Sequence, residues 1–255
     1  MDIKIIIPAH LASLRLGRKI LIDINGLPMI EHVRRRALLS KSIKEVYVAT
    51  GDIEIKSLIE SYGGNVITTK KNHVNGTCRV AEAISKINCT HVILIQGDEP
   101  LLIPDYIDIF VHQMMKSKAE KMWNGITRFE KMNNVDEHSL VKCFVDFNNY
   151  IISCFRKTPI FSDFSNFEKI LFKIQGLIAY ESNFLKNLVN LNETPFSKCE
   201  SIEQMKAIEY GYKIKGIELP DNFPSVNTVE ELKIVKSILN KNLNQKNIFK
   251  NIIKR

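Results

Sequence analysis

Asp98 and Glu99 stand just beyond an apolar run, His91 to Ile95, that stops at Gln96-Gly97. Read as a strand, that run delivers a carboxylate to its own carboxyl end, where an open α/β sheet binds ligands. Mg²⁺ is held in such places by one or two carboxylates together with substrate phosphates. A competing reading makes Asp98 and Glu99 caps of the next helix, because Pro100 and Pro104 mark a turn there. The matching cations lie upstream, in the loop after a second apolar run. There Ala9, His10, Ala12, Ser13, Arg15, Gly17, Arg18 and Lys19 follow Ile3 to Pro8. Small residues let backbone N–H groups approach phosphate oxygens, and Arg15 and Lys19 can neutralise them. The same composition would also suit an ordinary loop with solvated charges.

A third group is Asn72 to Arg79, NHVNGTCR, which offers His73, Asn75, Gly76, Thr77 and Arg79. Asparagine, threonine and backbone amides can pair with a nucleobase or ribose. Alternatively Asn75 or Thr77 caps a helix start and Arg79 is solvated. No GxGxxG follows the first strand, and no GxxxxGK[ST] or GxSxG occurs anywhere. A typical dinucleotide site, a P-loop and a nucleophile elbow are thereby disfavoured. No His/Cys cluster suggests zinc. The chemistry that fits best is positioning a nucleoside triphosphate and neutralising its charge.

These residues need elements to hold them. Ile3, Ile5, Ile6 and Ile7 read as a strand buried on both faces, ended by Pro8. Asp23 to Pro28 is a turn, and Met29, Ile30, Val33, Ala37 and Leu38 recur at helical spacing through a basic helix. Strands are predicted at Glu45–Thr50, Asn65–Thr69 and His91–Ile95, with helices between them. That alternation predicts an α/β fold with a doubly wound, mostly parallel sheet. After about residue 120 the pattern loosens. Strands are expected at Trp123–Phe129, Leu140–Phe147, Tyr150–Arg156, Phe172–Tyr180 and Ile214–Glu218, with a hairpin turn at Asn148-Asn149. Phe161–Phe167 reads as loop. Helices are expected at Phe184–Leu191, Glu200–Tyr210 and Val229–Leu239, the last capped by Thr228.

The 255 residues suffice for a full core. No run of about 18 apolar residues is present, so no membrane span is expected. Asp2 and Lys4 lead straight into a strand, which is not a secretory layout. Cys78, Cys89, Cys143, Cys154 and Cys199 lack metal-ligand spacing and read as reduced, cytoplasmic thiols. The net charge of +8 is spread along the chain without a basic and aromatic patch, so nucleic acid is not the expected partner. Its densest basic run, residues 241–255, reads as a solvated tail.

The ordered segments resemble the CMP-KDO synthetases, the 3-deoxy-manno-octulosonate cytidylyltransferases. IIPAHLASLRLGRKIL, DINGLPMIEHV, VYVAT, HVNGTCRVAE, IQGDEPLL, SIEQMKAIEYGYKI and PSVNTVEEL carry the resemblance, which runs from Ile5 to about Val235. It implies a nucleotidyltransferase-type domain over 1–240, with a β-rich dimerisation and sugar-binding lobe at about 120–210. It further implies CMP transfer from CTP to a 2-keto-3-deoxy sugar acid, Mg²⁺ as cofactor, and a cytoplasmic homodimer that serves lipopolysaccharide synthesis. Carried over by position, Arg15 and Lys19 would grip the triphosphate and Asp98 would hold Mg²⁺. His10, Ser13, His73, Asn75, Gly76, Thr77 and Gln96 would line the cytidine and substrate pocket, with Gln175 and Gln204 against the sugar. Several positions depart from the family's pattern. His10 stands for arginine, Gly51 for aspartate, Asn75 for serine, Cys78 for glutamate and Gln175 for histidine. Asn227 stands where the family has a second metal-binding aspartate, which leaves a carbonyl oxygen without its charge. Two outcomes follow: an enzyme with a shifted acceptor, or a nucleotide-binding protein with impaired catalysis.

Overall fold

The computed structural model describes residues 1–12, 15–129, 137–158, 167–221 and 224–254. The chain divides into two compact units, one of Met1–Val111 with Phe223–Arg255 and one of His112–Asn222.

The first unit is built on a parallel sheet. β1 (Ile3–Pro8) is followed by a two-stranded ribbon, β2 (Asp23–Ile24) and β3 (Leu27–Pro28), and by α1 (Met29–Ala37). The ribbon turns at Asn25-Gly26, where φ values of 56° and 89° need residues tolerant of the left-handed region. Next come β4 (Val46–Thr50), α2 (Ile53–Ser61), β5 (Asn65–Thr68), α3 (Gly76–Ile84), β6 (His91–Ile95) and α4 (Pro104–Lys116), whose residues from His112 on are counted with the second unit. The spatial order is β6-β1-β4-β5. Ile5 of β1 pairs with Val46 on one side and Ile93 on the other, both in parallel register. Every flank of β1 is therefore occupied, and Ile5, Ile6, Ile7, Val48, Ile93 and Leu94 are fully buried. Each such side chain contributes about 1.5–3 kcal/mol of hydrophobic stabilisation. Their carboxyl ends all open toward one edge, because parallel strands share a direction.

The second unit has an antiparallel core. β7 (Met122–Thr127) is buried along its whole length. β8 (Lys142–Val145) and β9 (Ile151–Phe155) form a hairpin. Asp146 organises its turn, since Oδ1 accepts from the N–H groups of Asn148 and Tyr150 at 2.8 Å each, and Asn149 takes φ 61°. The loop expected at Phe161–Phe167 lies, up to residue 166, outside the described residues. After α5 (Phe167–Ile170), β10 (Leu171–Glu181) pairs antiparallel with β7 and β8. α6 (Ser182–Asn190), α7 (Pro195–Glu200) and α8 (Glu203–Glu209) follow, and β11 (Lys215–Glu218) adds to β7 in parallel. The single helix expected over Glu200–Tyr210 is in fact broken at Ser201, whose φ of 53° ends α7.

The closing segments return to the first unit. Thr228 caps α9 (Val229–Lys241) in a reciprocal capping box with Glu231. Residues 241–255 are not a solvated tail, because Leu243–Ile253 forms α10. Ile248 and Ile252, one helical turn apart, pack with Leu27 and Ile103, and Phe249 stacks on His32 at 5.3 Å. The lysines of this segment occupy the remaining face, which is why charge alone misled.

Candidate active site

The strand ends of the first unit enclose a cleft of about 780 Å³. The loop after β1 contributes His10 and Lys19 to its lining, and the end of β4 contributes Asp52. The loop after β5 brings Lys71 and His73, with Asn75 and Gly76 opening α3. The end of β6 brings Gln96 and Asp98. This is the crevice that parallel strand order predicts.

Its polar centre is a four-residue cluster. Lys19 Nζ donates to Asp98 Oδ2 at 2.5 Å and to Asn227 Oδ1 at 3.0 Å. Arg15 donates to the same Asn227 oxygen at 3.2 Å. Asn227 is placed there by α9, since its N–H donates to Glu231 Oε2 at 2.6 Å. Asp98 is tied to the same segment through its carbonyl, which accepts from Val226 N at 2.9 Å. Residues more than a hundred positions apart thus present two cations, one carboxylate and one amide oxygen at one point. That arrangement suits an anion with several charged oxygens.

The wall beside α3 is held from within. Asn75 is the N-cap, its side chain accepting from Cys78 N at 2.8 Å. Gly76 passes close to the end of β1, and a Cβ there would lie 3.1 Å from Pro8 Cγ. His73 Nε2 faces Glu82 Oε2 at 2.9 Å. Burial opposes the charge on Glu82, yet bonds from Lys86 and the Lys70 N–H, with His73 behind them, hold its carboxyl down at about 2. Burial also lowers His73, with Arg79 adding to the effect and Glu82 opposing it. His10 is lowered for the same first reason, helped by Arg79 and Lys19 and opposed by Asp52. Near neutral pH both imidazoles are therefore mostly uncharged, and the fixed positive charge belongs to lysine and arginine.

The structure treats the sequence-derived residues unequally. His10, Lys19, His73, Asn75, Gly76, Gln96 and Asp98 line the cleft. Asn227 joins it through Lys19, and Arg15 through Asn227. Thr77 is buried and is not part of the lining. Ser13 lies outside the described residues. Gln175 and Gln204 form a polar cluster in the second unit. Gln204 Nε2 donates to Asn124 Oδ1 at 2.9 Å, Asn124 donates to the Gln175 carbonyl at 3.1 Å, and Gln175 Nε2 donates to Thr127 Oγ1 at 2.8 Å. Arg79 is not solvated but 3% exposed, and its guanidinium bonds Thr69 Oγ1 at 2.7 Å and the Lys70 and Lys71 carbonyls at 3.0 Å each. Asp52 was missed altogether. Its Oδ2 accepts from Leu11 N at 3.0 Å and so fixes the loop after β1. The available signal was its place at the end of a strand neighbouring β1.

Comparison with known proteins bears on this site. Residues 4–214 match the family model for cytidylyltransferases. The chain is 34% identical over 244 residues to the 8-amino-3,8-dideoxy-manno-octulosonate cytidylyltransferase of Shewanella pealeana, covering 94% of this chain and 99% of that protein. It is 36% identical over 250 residues to the 3-deoxy-manno-octulosonate cytidylyltransferase of Thermodesulfovibrio yellowstonii, covering 92% and 97%. Its fold matches a CMP:2-keto-3-deoxy-manno-octonic acid synthetase solved with CTP, at a TM-score of 0.89 and 30% identity. That match covers 95% of this chain and all of the other.

Proposed function

The chain belongs to the cytidylyltransferase family, and on that premise we propose that it transfers CMP from CTP to the anomeric hydroxyl of a 2-keto-3-deoxy sugar acid, releasing pyrophosphate. The acceptor class is an octulosonate of the manno type, with either a hydroxyl or an amino group at its far end. Both kinds of relative are comparably similar. The observation that carries the reading is the meeting of Arg15, Lys19, Asp98 and Asn227 at the mouth of a parallel sheet.

The residues do the following work. Arg15 and Lys19 are already held at the site by Asn227 and Asp98. The triphosphate receives them prepositioned, with little side-chain ordering left to complete. As the acceptor hydroxyl oxygen bonds to the α-phosphorus and its proton passes to water, the bond to the β-phosphate oxygen breaks and negative charge moves onto pyrophosphate. Lys19 and Arg15 offset that charge. Neutral His73 and His10, with Asn75 and Gln96, supply hydrogen bonds for the nucleoside and acceptor without adding charge. Gln175 and Gln204 are assigned to the sugar acid on the strength of the family resemblance.

A divalent ion fits this donor set. Asp98 and Asn227 offer one charged and one neutral oxygen to the same ammonium, and Mg²⁺ draws its remaining ligands from phosphate and water. These two residues would hold it, and when bound it supplies positive charge to the phosphoryl oxygens. Asn227 makes this testable. Asn227→Asp is expected to lower the Mg²⁺ concentration giving half the maximal rate by about tenfold, because a second carboxylate is added. An unchanged Mg²⁺ titration would remove residue 227 from the ion's surroundings.

The same reading makes the protein a cytoplasmic homodimer whose product feeds lipopolysaccharide synthesis. The homodimer and the pathway are supported by the family resemblance, and the compartment also by five free cysteines. No helix among the described residues is long and apolar enough to cross a membrane. The deciding experiment is pyrophosphate release with CTP, Mg²⁺ and a panel of ulosonic acids that includes the 8-hydroxy and 8-amino octulosonates. Release with one or both is the expected result. CTP binding without release for any acid would replace the transferase by a nucleotide-binding protein.

A further inference from the structure

Gly51 ends the strand run of β4, and its backbone lies against the loop that follows β5. A Cβ on residue 51 would fall 2.5 Å from the Lys70 carbonyl oxygen and 2.5 Å from Lys71 Cα. Both obstacles are backbone, so no rotamer change relieves them. Any other residue here must push the 70–71 segment away. Buried Arg79 grips the same two peptide units, donating to the Lys70 and Lys71 carbonyls at 3.0 Å each. Glu82 takes the Lys70 N–H at 3.0 Å. The segment is therefore fixed by three residues, and it carries Lys71 to the lining of the cleft. The other cations there are engaged: Lys19 by Asp98, Arg15 by Asn227 and Arg79 by carbonyls. Lys71 is exposed, and its ammonium has no partner among the described residues.

We infer that Gly51 is a positioning residue and that Lys71, which it admits to the cleft wall, is an additional binding contact for an anionic oxygen of the substrate. The inference rests on the cleft being the site for CTP and the sugar acid. The anionic group is a phosphate of the one or the carboxylate of the other. Both attract an exposed ammonium, and the contact is weakened by salt.

Lys71→Met separates the two sources. CTP affinity is measured by calorimetry without acid, and the KM for the octulosonate is measured at saturating CTP, each at low and high salt. One of the two is expected to weaken by roughly two- to fivefold, the range of an exposed ion pair. Its salt dependence becomes shallower, and Lys71→Arg restores it. A CTP effect assigns the phosphate, and a KM effect assigns the carboxylate. Gly51→Ala should produce the same loss, with Gly51→Ala/Lys71→Met no worse than Gly51→Ala alone. Losses that multiply instead would show that Gly51 does not act through Lys71. Lys71→Met indistinguishable from the parent in both arms overturns the inference, whether or not Gly51→Ala folds. A parent protein that binds no CTP would strike the transferase reading itself, a result these variants do not mimic.

Discussion

Replacing Asp98 by asparagine is expected to lower kcat by about 10²- to 10³-fold, the scale on which removal of one electrostatic contact to the reacting group acts. The substitution is nearly isosteric, and its amide oxygen can still accept from Lys19. The Asp98 backbone carbonyl still accepts from Val226 N. The fold should therefore survive, with a thermal midpoint within a few degrees of the parent. What goes is the negative charge, which neutralises Lys19 in the free protein and would hold the divalent ion in the working one. CTP affinity measured without Mg²⁺ should change little or improve, because Lys19 is freed for the phosphates. Single-turnover pyrophosphate release at saturating CTP, acid and Mg²⁺ checks the prediction. Asp98→Asn that turns over at a tenth of the parental rate or faster would place the metal and the chemistry elsewhere.

Asp98 was legible in the sequence because two short-range signals coincide on it. The run His91–Ile95 has the apolar continuity of a strand covered on both faces, and the polar residues after it mark where burial ends. The same logic located β1 and β4, and with them the edge onto which their loops open. It also found the cap at Thr228 and narrowed the start of α3 to Asn75 or Thr77, of which Asn75 is the cap, because capping is a contact over three residues. What escaped were consequences of long-range packing. Arg79 looked like a surface residue, since arginine usually is one. It is buried because three carbonyl and hydroxyl oxygens from the loop after β5 surround it. Asp52 was overlooked because its partner, the Leu11 N–H, is 41 residues away. The hydrophobic pair Ile248 and Ile252 was hidden among lysines, and only the apolar surface of Leu27 and Ile103 gives it a place to go. The departures from the family's pattern divide in the same way. Gly51 has a steric reason in the backbone of Lys70 and Lys71, and the exchange at Asn227 acquires meaning only beside Arg15 and Lys19, so both depend on packing between distant segments.

The basic helix α1 shows the sharpest effect of packing, and it supports a second large prediction. Arg34, Arg35 and Arg36 give this helix its basic character, yet all three are buried, and Glu31 among them is completely so. Glu31 accepts from Arg34 at 2.6 and 2.8 Å and from Arg35 at 2.8 Å. One carboxylate thus balances two guanidinium groups away from water. Arg35 continues the chain of contacts to α10, donating to the Ile252 carbonyl at 2.8 Å. Glu31→Ala strands both cations in the interior, and such a loss costs about 3–5 kcal/mol, far more than an exposed ion pair. The expected result is a urea midpoint lowered to match, with amide exchange in α10 accelerated before the rest of the first unit opens. Glu31→Gln keeps the shape and one acceptor and should fall between the two. A loss under about 1 kcal/mol in Glu31→Ala would mean that water reaches these arginines, and that α10 is held by its apolar contacts alone.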